Sequence, residues 1–272
     1  MSVHERAARK TVASLRRMKQ TGEKIACLTA YDASFSAVLD GAGVDVILVG
    51  DSLGMVVQGH DSTVPVTVAD MVYHSRAVAS RCSQALLMVD MPFMSYTSPR
   101  QALENAALLM QQGGAQMVKL EGDSRQVDIV EKLTGHGVPV CAHIGLQPQL
   151  INKLGGYRVQ GRAPGQADKM IEDALALEQA GADLVLLECV TEPLAAEISQ
   201  RLTVPTIGIG ASAQCDGQVL VLQDILGITP GRAPKFAANF LTTGGSIQGA
   251  VEAYVEAVKS GAFPSEAHIF PK

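Results

Sequence analysis

The chain contains the stretch Gly181-Ala-Asp-Leu-Val-Leu-Leu-Glu188, in which a helix-ending glycine is followed by an apolar strand and then by a carboxylate. The same order recurs in Gly43-Val-Asp-Val-Ile-Leu-Val-Gly-Asp51 and in Gly114-Ala-Gln-Met-Val-Lys-Leu-Glu121. Short, continuously apolar runs of this kind are typical of strands buried on both faces of a parallel sheet. The repeated unit therefore predicts an α/β fold built from strand–helix repeats.

Seven such apolar runs are spaced along the 272 residues, with amphipathic segments between them. We predict strands over Ile25–Ala30, Asp45–Gly50, Ala85–Met91, Gln116–Leu120, Val138–His143, Asp183–Glu188 and Val204–Gly208. A weaker eighth strand is predicted around Gln218–Leu222. Eight strand–helix units in a chain of this length favour a closed (β/α)8 TIM barrel. A doubly wound open sheet is the alternative.

Cap residues and glycines mark the helices between these strands. The clearest helical segments are Thr67–Arg81, Ser98–Gln112, Asp168–Ala180 and Ile247–Lys259. Thr11–Gln20 precedes the first strand and is expected to be an extra N-terminal helix that closes the bottom of the barrel. No low-complexity linker divides the chain, so we predict one domain over residues 1–272, with residues 1–10 as a flexible extension.

The composition excludes several classes of protein. Apolar residues make up 47% and charged residues 18%, which argues against disorder. A net charge of -5 argues against a nucleic-acid binder. No apolar run approaches the roughly 20 residues of a membrane span, and the basic N-terminus lacks the apolar region of a secretory signal. The five cysteines are odd in number and show no C-x-x-C spacing, which favours reduced thiols in a cytoplasmic protein.

Three carboxylates follow the second, third and fourth predicted strands. They are Asp51, Asp90 and Glu121, at the strand ends where barrel active sites lie. Carboxylates that converge in an apolar setting repel one another unless a cation neutralises them. Hard oxygen ligands suit Mg²⁺, so the pattern predicts a magnesium site. The alternative is that each carboxylate caps the helix that follows it.

Three further residues at strand ends have candidate chemical roles. Lys119 shares the inward face of its strand with Glu121 and needs an anionic partner, which a substrate carboxylate or a structural ion pair would supply. His143 is predicted to end the fifth strand and to contact substrate, or else to be a hydrogen-bonded structural residue. Glu188, predicted to lie across the rim from the three carboxylates, is a candidate base, since burial raises a carboxyl pKa. Its alternative role is to cap the helix that starts near Thr191.

Eight motifs in the same order resemble those of the ketopantoate hydroxymethyltransferase family, from about Thr11 to the C-terminal end. They are Gly50-Asp-Ser-Leu-Gly-Met55, Gly59-His-Asp-Ser-Thr63, Asp90-Met-Pro-Phe-Met94, Val118-Lys-Leu-Glu-Gly122, His143-Ile-Gly-Leu146, Gly155-Gly-Tyr-Arg-Val-Gln-Gly-Arg162, Leu187-Glu-Cys189 and Pro234-Lys-Phe236. Ser212 and Ala238 depart from the residues more usual in the family, glycine and lysine, and affect only loops.

The resemblance implies a barrel of the phosphoenolpyruvate/pyruvate type, one Mg²⁺ per subunit and a homo-oligomer, a decamer. It implies that a hydroxymethyl group passes from 5,10-methylenetetrahydrofolate to 3-methyl-2-oxobutanoate, forming 2-dehydropantoate for pantothenate biosynthesis. The family's functional positions fall on the following residues: metal ligands Asp51, Asp90 and Glu121; keto-acid contacts Asp51, Ser52, Asp90 and Lys119, with His143 near them; and Glu188 as the base. Glu188, Lys119 and His143 are thus the expected catalytic set.

Two other functions remain open at the level of sequence. One is a different Mg²⁺-dependent barrel that makes or breaks a C–C bond in a 2-oxo acid without folate. The other is a catalytically silent ligand-binding barrel, against which the intact set of charged residues argues. The sequence does not reveal the folate pocket, for whose anionic tail Arg158, Arg162 and Lys235 are the candidate partners.

Overall fold

The computed structural model describes residues 9–156, 158–229, 231 and 233–271. Eight parallel strands pair in chain order, and the first also pairs with the last, so the sheet closes into a barrel. The strands are β1 Ile25–Thr29, β2 Val46–Val49, β3 Leu86–Asp90, β4 Met117–Glu121, β5 Val140–Gly145, β6 Leu184–Glu188, β7 Thr206–Ile209 and β8 Gly217–Leu220. The predicted TIM barrel is confirmed, and the open doubly wound sheet is excluded.

Helices surround the barrel and alternate with its strands. They are α1 Val12–Thr21, α2 Ala33–Gly41, α3 Leu53–Val56, α4 Val68–Ala79, α5 Pro99–Gln111, α6 Val127–Gly135, α7 Ile151–Leu154, α8 Gln166–Gln179, α9 Glu192–Arg201, α10 Leu222–Ile225, α11 Leu241–Gly244 and α12 Ile247–Lys259. The caps read from the sequence are present, since the side chains of Thr67 and Ser98 accept the backbone N–H groups of Asp70 and Gln101. No helix within the described ranges is long and apolar enough to cross a membrane.

Some predicted boundaries were wrong by a few residues. The fifth strand does not end at His143: it continues to Gly145, because Ile144 and Gly145 also pair with β6. The eighth strand ends at Leu220, not Leu222, because the N–H of Leu222 donates to the hydroxyl of Thr29 and begins α10. The helix expected over Asp168–Ala180 begins two residues earlier, at Gln166.

Helices α1 and α12 hold the closed barrel together. Arg16 and Lys19 of α1 form ion pairs with Asp183 and Asp216, which lie before β6 and β8, so α1 covers the N-terminal end of the barrel as predicted. The hydroxyl of Tyr254 in α12 donates to the carbonyl groups of both β1 and β8, at the seam of the barrel. The extension predicted over residues 1–10 lies outside the described residues, except for Arg9 and Lys10, which both bond to the Cys82–Ala85 segment.

Candidate active site

A cavity of about 490 Å³ opens at the C-terminal ends of the strands, the end at which TIM barrels carry their active sites. Seven residues singled out in the sequence line it: Asp51, Ser52, Asp90, Lys119, Glu121, His143 and Glu188. They come from the ends of five neighbouring strands, β2 to β6. Closure of the barrel therefore brings together residues that are up to 137 positions apart, from 51 to 188.

Asp90 links three strands at one side of the cavity. Its Oδ1 lies 2.7 Å from Nζ of Lys119 on β4, and its Oδ2 accepts the backbone N–H of Asp51, which follows β2, at 3.0 Å. A Cβ at Gly50 would stand 3.4 Å from Asp90 Oδ2 and 2.9 Å from the hydroxyl of Ser52, so the glycine lets these groups approach. None of these contacts caps a helix, so for Asp90 the capping alternative is wrong.

Gln149, which sequence reasoning missed, connects Asp51 with Glu121. Its side-chain amide donates to Asp51 Oδ2 at 2.9 Å and its backbone N–H donates to Glu121 Oε2 at 3.0 Å. Its side-chain oxygen Oε1 accepts from the hydroxyl of Tyr96, which also accepts the N–H of Glu121. All four side chains are buried, so the network fixes both carboxylates in place.

The site contains four carboxylates, Asp51, Asp90, Glu121 and Glu188, and Lys119 is the cation that lies among them. Burial, together with the negative charge of Asp90, raises the pKa of Asp51 to about 7. Burial and the charge of Asp51 raise the pKa of Glu121 well above its usual range. Burial lowers the pKa of Lys119, but the carboxylates of Asp90, Glu121 and Asp51 more than offset this and hold the lysine protonated. One lysine therefore faces four carboxylates, and an added cation would relieve the repulsion between them.

The donor set fits Mg²⁺ through one or two carboxylates. No three acidic, histidine or cysteine side chains of the described residues lie close enough to hold a metal ion by themselves. Mg²⁺ does not need such a cage, since it keeps several waters and is commonly bound by one or two carboxylates plus substrate oxygens. Asp51 and Asp90 are adjacent and line the cavity, and Lys119 pairs directly with Asp90 alone, so two carboxylates are placed as such binding requires.

Glu188 and His143 form the next part of the site. Oε2 of Glu188 lies 3.3 Å from Nε2 of His143, whose Nδ1 lies 3.7 Å from Glu121 Oε1. Burial and the charge of Lys119 lower the pKa of His143 well below its usual value, so the ring is neutral. Burial raises the pKa of Glu188 to about 7. Glu188 is therefore two strands from Glu121, with the ring of His143 between them, and four strands from Asp51, which is across the eight-stranded rim as expected.

The backbone around Glu188 is held tightly by its neighbours. The Glu188 carbonyl accepts the N–H of Leu146, and a Cβ at Gly145 would stand 2.4 Å from that oxygen, so only glycine fits there. Cys189 has a φ of 49°, a left-handed conformation that is strained for a residue with a side chain, and its N–H donates to Ile209. Helix α9 shows no side-chain cap at its start, so the role of Glu188 as a helix cap is not realised.

Ser52 lies at the mouth of the same cluster, immediately before α3. Its hydroxyl is 2.8 Å from that of Tyr31, a third residue that sequence reasoning missed after Gln149 and Tyr96. Tyr31, Tyr96 and Gln149 lie outside the strands and have no periodic spacing that could single them out. Only one feature of the sequence could have pointed to them: each is a polar residue that follows a predicted strand by a few positions.

The comparison with known protein families decides what this site belongs to. The family model described as ketopantoate hydroxymethyltransferase matches residues 9–266. The chain belongs to the ketopantoate hydroxymethyltransferase family. The resemblance read from the eight motifs is thereby confirmed.

Relatives with curated names agree with the family assignment. The 3-methyl-2-oxobutanoate hydroxymethyltransferase of Alkalilimnicola ehrlichii is 63% identical over 260 residues, which cover 96% of this chain and 94% of that protein. The protein of the same name from Halorhodospira halophila is 57% identical over 260 residues, with the same coverage of both chains. The similarity to proteins of this name therefore extends over nearly the whole chain.

Solved structures of other enzymes share the barrel. A phosphoenolpyruvate phosphomutase from Streptomyces platensis subsp. rosaceus superposes with a TM-score of 0.61 at 15% identity, covering 79% of this chain and 82% of that one. A 2,3-dimethylmalate lyase, a member of the PEP mutase/isocitrate lyase superfamily, gives 0.58 at 16% identity, covering 77% and 79%. At such identities the likeness concerns the fold, and it supports the barrel type expected from the family.

The candidate partners for a folate tail lie away from the cavity wall. Arg158, Arg162 and Lys235 are exposed, and none is among the described residues that line the cavity. Nζ of Lys235 donates to the carbonyl of Ile269 and lies 5.0 Å from the centre of the Phe270 ring. These three residues therefore stay predictions for a tail that extends beyond the cavity.

Proposed function

We propose that this chain transfers a hydroxymethyl group from 5,10-methylenetetrahydrofolate to 3-methyl-2-oxobutanoate, forming 2-dehydropantoate. The observation that carries the proposal is the convergence of the Asp51–Asp90–Lys119 cluster with Glu188 in one cavity of a member of this family. In the overall balance, one water supplies the hydroxyl oxygen, a proton leaves C3 of the keto acid, and tetrahydrofolate is released.

Asp51 and Asp90 are the proposed Mg²⁺ ligands, with Glu121 contributing directly or through a water. Bound there, the ion would stabilise the negative charge that builds on the keto oxygen when the C3 proton leaves. The raised pKa values of Asp51 and Glu121 support this assignment, because a divalent cation bound between these carboxylates would relieve the repulsion that contributes to the shifts.

Lys119 and Ser52 orient the keto acid. The ammonium group of Lys119 is buried and faces the cavity, where it attracts the substrate carboxylate. The Ser52 hydroxyl, held by Tyr31, is available to a substrate oxygen on the neighbouring side. Together they would hold C3 toward Glu188, so that proton transfer needs little further reorganisation.

Glu188 is the proposed base that accepts the C3 proton. A carboxyl with a pKa of about 7 is half ionised at neutral pH and accepts a proton more readily than an ordinary glutamate. The neutral ring of His143 lies beside its Oε2 and would keep that carboxylate oriented after protonation. Carbon C3 then attacks the methylene carbon of the folate, and one of that carbon's two bonds to nitrogen breaks as the nitrogen takes up a proton. Water then displaces the second nitrogen from the same carbon, which forms the hydroxyl group and releases tetrahydrofolate.

One assay tests the proposal as a whole: formation of 2-dehydropantoate from the keto acid and methylenetetrahydrofolate, with and without Mg²⁺. We expect turnover that requires both the folate and a divalent ion. Turnover of a 2-oxo acid without folate would instead favour a lyase of similar architecture. Absence of any turnover, together with tight keto-acid binding, would favour a silent barrel.

We also propose that the protein is a cytoplasmic homo-oligomer, a decamer as the family resemblance implies. All five cysteines are free and buried, which suits a reducing compartment. Tyr73 and Met94 are large apolar side chains that are 64% and 60% exposed in the isolated chain, which supports burial against further copies. Sedimentation analysis of the purified protein measures the assembly, and a monomer at micromolar concentration would contradict it.

A further inference from the structure

The wall of the cavity formed by β7, β8 and the chain that follows them differs from the cluster around Lys119. It is apolar: Ile209, Val219 and Val221 line it, and Phe236 lies over it. Gly210 has a φ of 58°, and a Cβ there would stand 2.9 Å from the Phe236 ring, so the glycine lets the ring lie against the end of β7. This side of the cavity offers apolar surface beyond the charged cluster proposed to hold the keto acid.

Asp224 is the one carboxylate of the described residues on this apolar side of the cavity, and it is only 7% exposed. Its Oδ1 accepts the hydroxyl of Thr229 at 2.5 Å. Among the described residues no hydrogen-bond donor reaches Oδ2 and no cation pairs with the side chain. Burial raises the pKa of Asp224, as expected for a carboxyl without a balancing charge. A buried acceptor left open toward a cavity is a site for a ligand donor.

Two contacts hold Asp224 at a fixed position. The N–H of Leu222, at the start of α10, donates to the buried hydroxyl of Thr29 on β1, and the carbonyl of Ile225, at the end of α10, accepts the N–H of Phe240. The carboxylate is therefore presented by a short helix anchored at both ends.

The apolar side of the cavity lies close to the proposed base. Glu188 ends β6, two strands from β8, so a distance of roughly 10 Å along the rim separates Glu188 from the end of β8.

We infer that Asp224 binds the 2-amino and N3–H edge of the reduced pterin ring of methylenetetrahydrofolate, an inference that rests on the proposed function. This edge presents two N–H donors side by side, the pattern that one carboxylate accepts. The ring faces lie between apolar side chains, of which Phe236 supplies the aromatic surface. The methylene carbon then lies between Asp224 and Glu188, next to C3 of the keto acid.

The decisive experiment changes ligand and protein together. Binding of tetrahydrofolate is compared with that of its 2-desamino analogue, in wild type and in Asp224→Asn, in the presence of Mg²⁺. The wild type is expected to bind the analogue roughly 10- to 100-fold more weakly, whereas the variant discriminates less than about threefold. Equal binding of both ligands by the wild type would overturn the inference, and that measurement does not depend on any variant folding.

Two controls separate this role from a structural one. Thr229→Val removes the hydrogen bond to Oδ1 but leaves the carboxylate, so it should keep the discrimination between the two ligands. Exchange of the C3 proton of the keto acid in deuterated water, without folate, should stay within about twofold of wild type in Asp224→Asn. If that exchange falls as far as folate binding does, Asp224 only supports the fold. If the wild type exchanges the proton but never uses folate, the proposed function itself fails instead.

Discussion

The two ends of the barrel both contain buried acids, but only one end balances them. At the N-terminal end, Asp45 is 2% exposed and lies 3.0 Å from Nζ of Lys10 and 2.6 Å from Nζ of Lys259, while it also accepts the N–H of Ala26. At the C-terminal end, four carboxylates share Lys119. We therefore expect the N-terminal acids to stabilise the fold, and the C-terminal acids to lower its stability when no cation or substrate is bound.

The largest effect should come from the proposed base. Glu188→Gln keeps the shape of the side chain but cannot accept a proton, so turnover should fall roughly 10²- to 10⁴-fold. Keto-acid binding, measured by calorimetry, should change little, and exchange of the C3 proton in deuterated water should be lost. Exchange at the wild-type rate in this variant would remove Glu188 as the base.

The next largest effect concerns the contribution of Asp45, at the N-terminal end of the barrel, to the stability of the fold. Asp45→Asn separates two lysines from their shared carboxylate while it keeps an acceptor for the N–H of Ala26. Because both lysines retain contact with solvent, we expect a loss of about 2 kcal/mol in the free energy of unfolding, with normal turnover. Glu104→Gln, which breaks the exposed pair with Arg100, is the matched control and should cost less than about 0.5 kcal/mol. Similar losses of stability in Asp45→Asn and Glu104→Gln would contradict a stabilising role for Asp45.

The pH dependence should reveal the raised pKa at the catalytic end. Glu188 must be ionised to accept a proton, so kcat/KM should fall as the pH falls below its pKa of about 7, by about tenfold for each further pH unit. At saturating Mg²⁺, which would keep Asp51 ionised, the residual activity of Glu188→Gln should lack this acidic limb. A wild-type profile that stays flat down to pH 5 would show that no group with this pKa controls proton abstraction.

The smallest expected effect is a change in stability, and its sign directly tests the difference between the acids at the two ends of the barrel. Asp51→Asn removes one negative charge from the crowded cluster and keeps an acceptor for Gln149, so stability without divalent ions should rise by roughly 1 kcal/mol. Turnover should be lost in the same variant. The midpoint of urea unfolding at pH 8, with a chelator present, measures the change, and a clear loss of stability would mean that Asp51 is a structural acid like Asp45.

The sequence predicted the positions of the candidate site residues with few errors. The strands were located to within two residues, and the side chains of Asp51, Asp90, Lys119, Glu121 and Glu188 all line one cavity as expected. This worked because a buried parallel strand leaves a continuous apolar run, and its last residue lies at the rim whatever the loops do. Strand order alone does not show which side chains meet, so the 3.3 Å approach of Glu188 to His143 was not predicted.

Loop residues escaped prediction for a physical reason. Gln149, Tyr96 and Asp224 follow strands at irregular distances, and their positions depend on contacts with segments far away in the chain. Gln149 reaches a carboxylate 98 positions away, and Asp224 sits on a helix anchored to β1. No local pattern records such contacts, because they form only when the barrel closes.

The sequence by itself determined the (β/α)8 architecture, the family, and the strand-end acids and lysine, because each follows from short-range periodicity or from motifs in register. The tertiary structure decided which of these groups touch. It gave the pairing of Lys119 with Asp90, the bridge through Gln149, the neutral His143 beside Glu188, and the buried, open carboxylate of Asp224. These depend on distances and burial, and a pKa near 7 for a glutamate arises only where folding has removed the surrounding water.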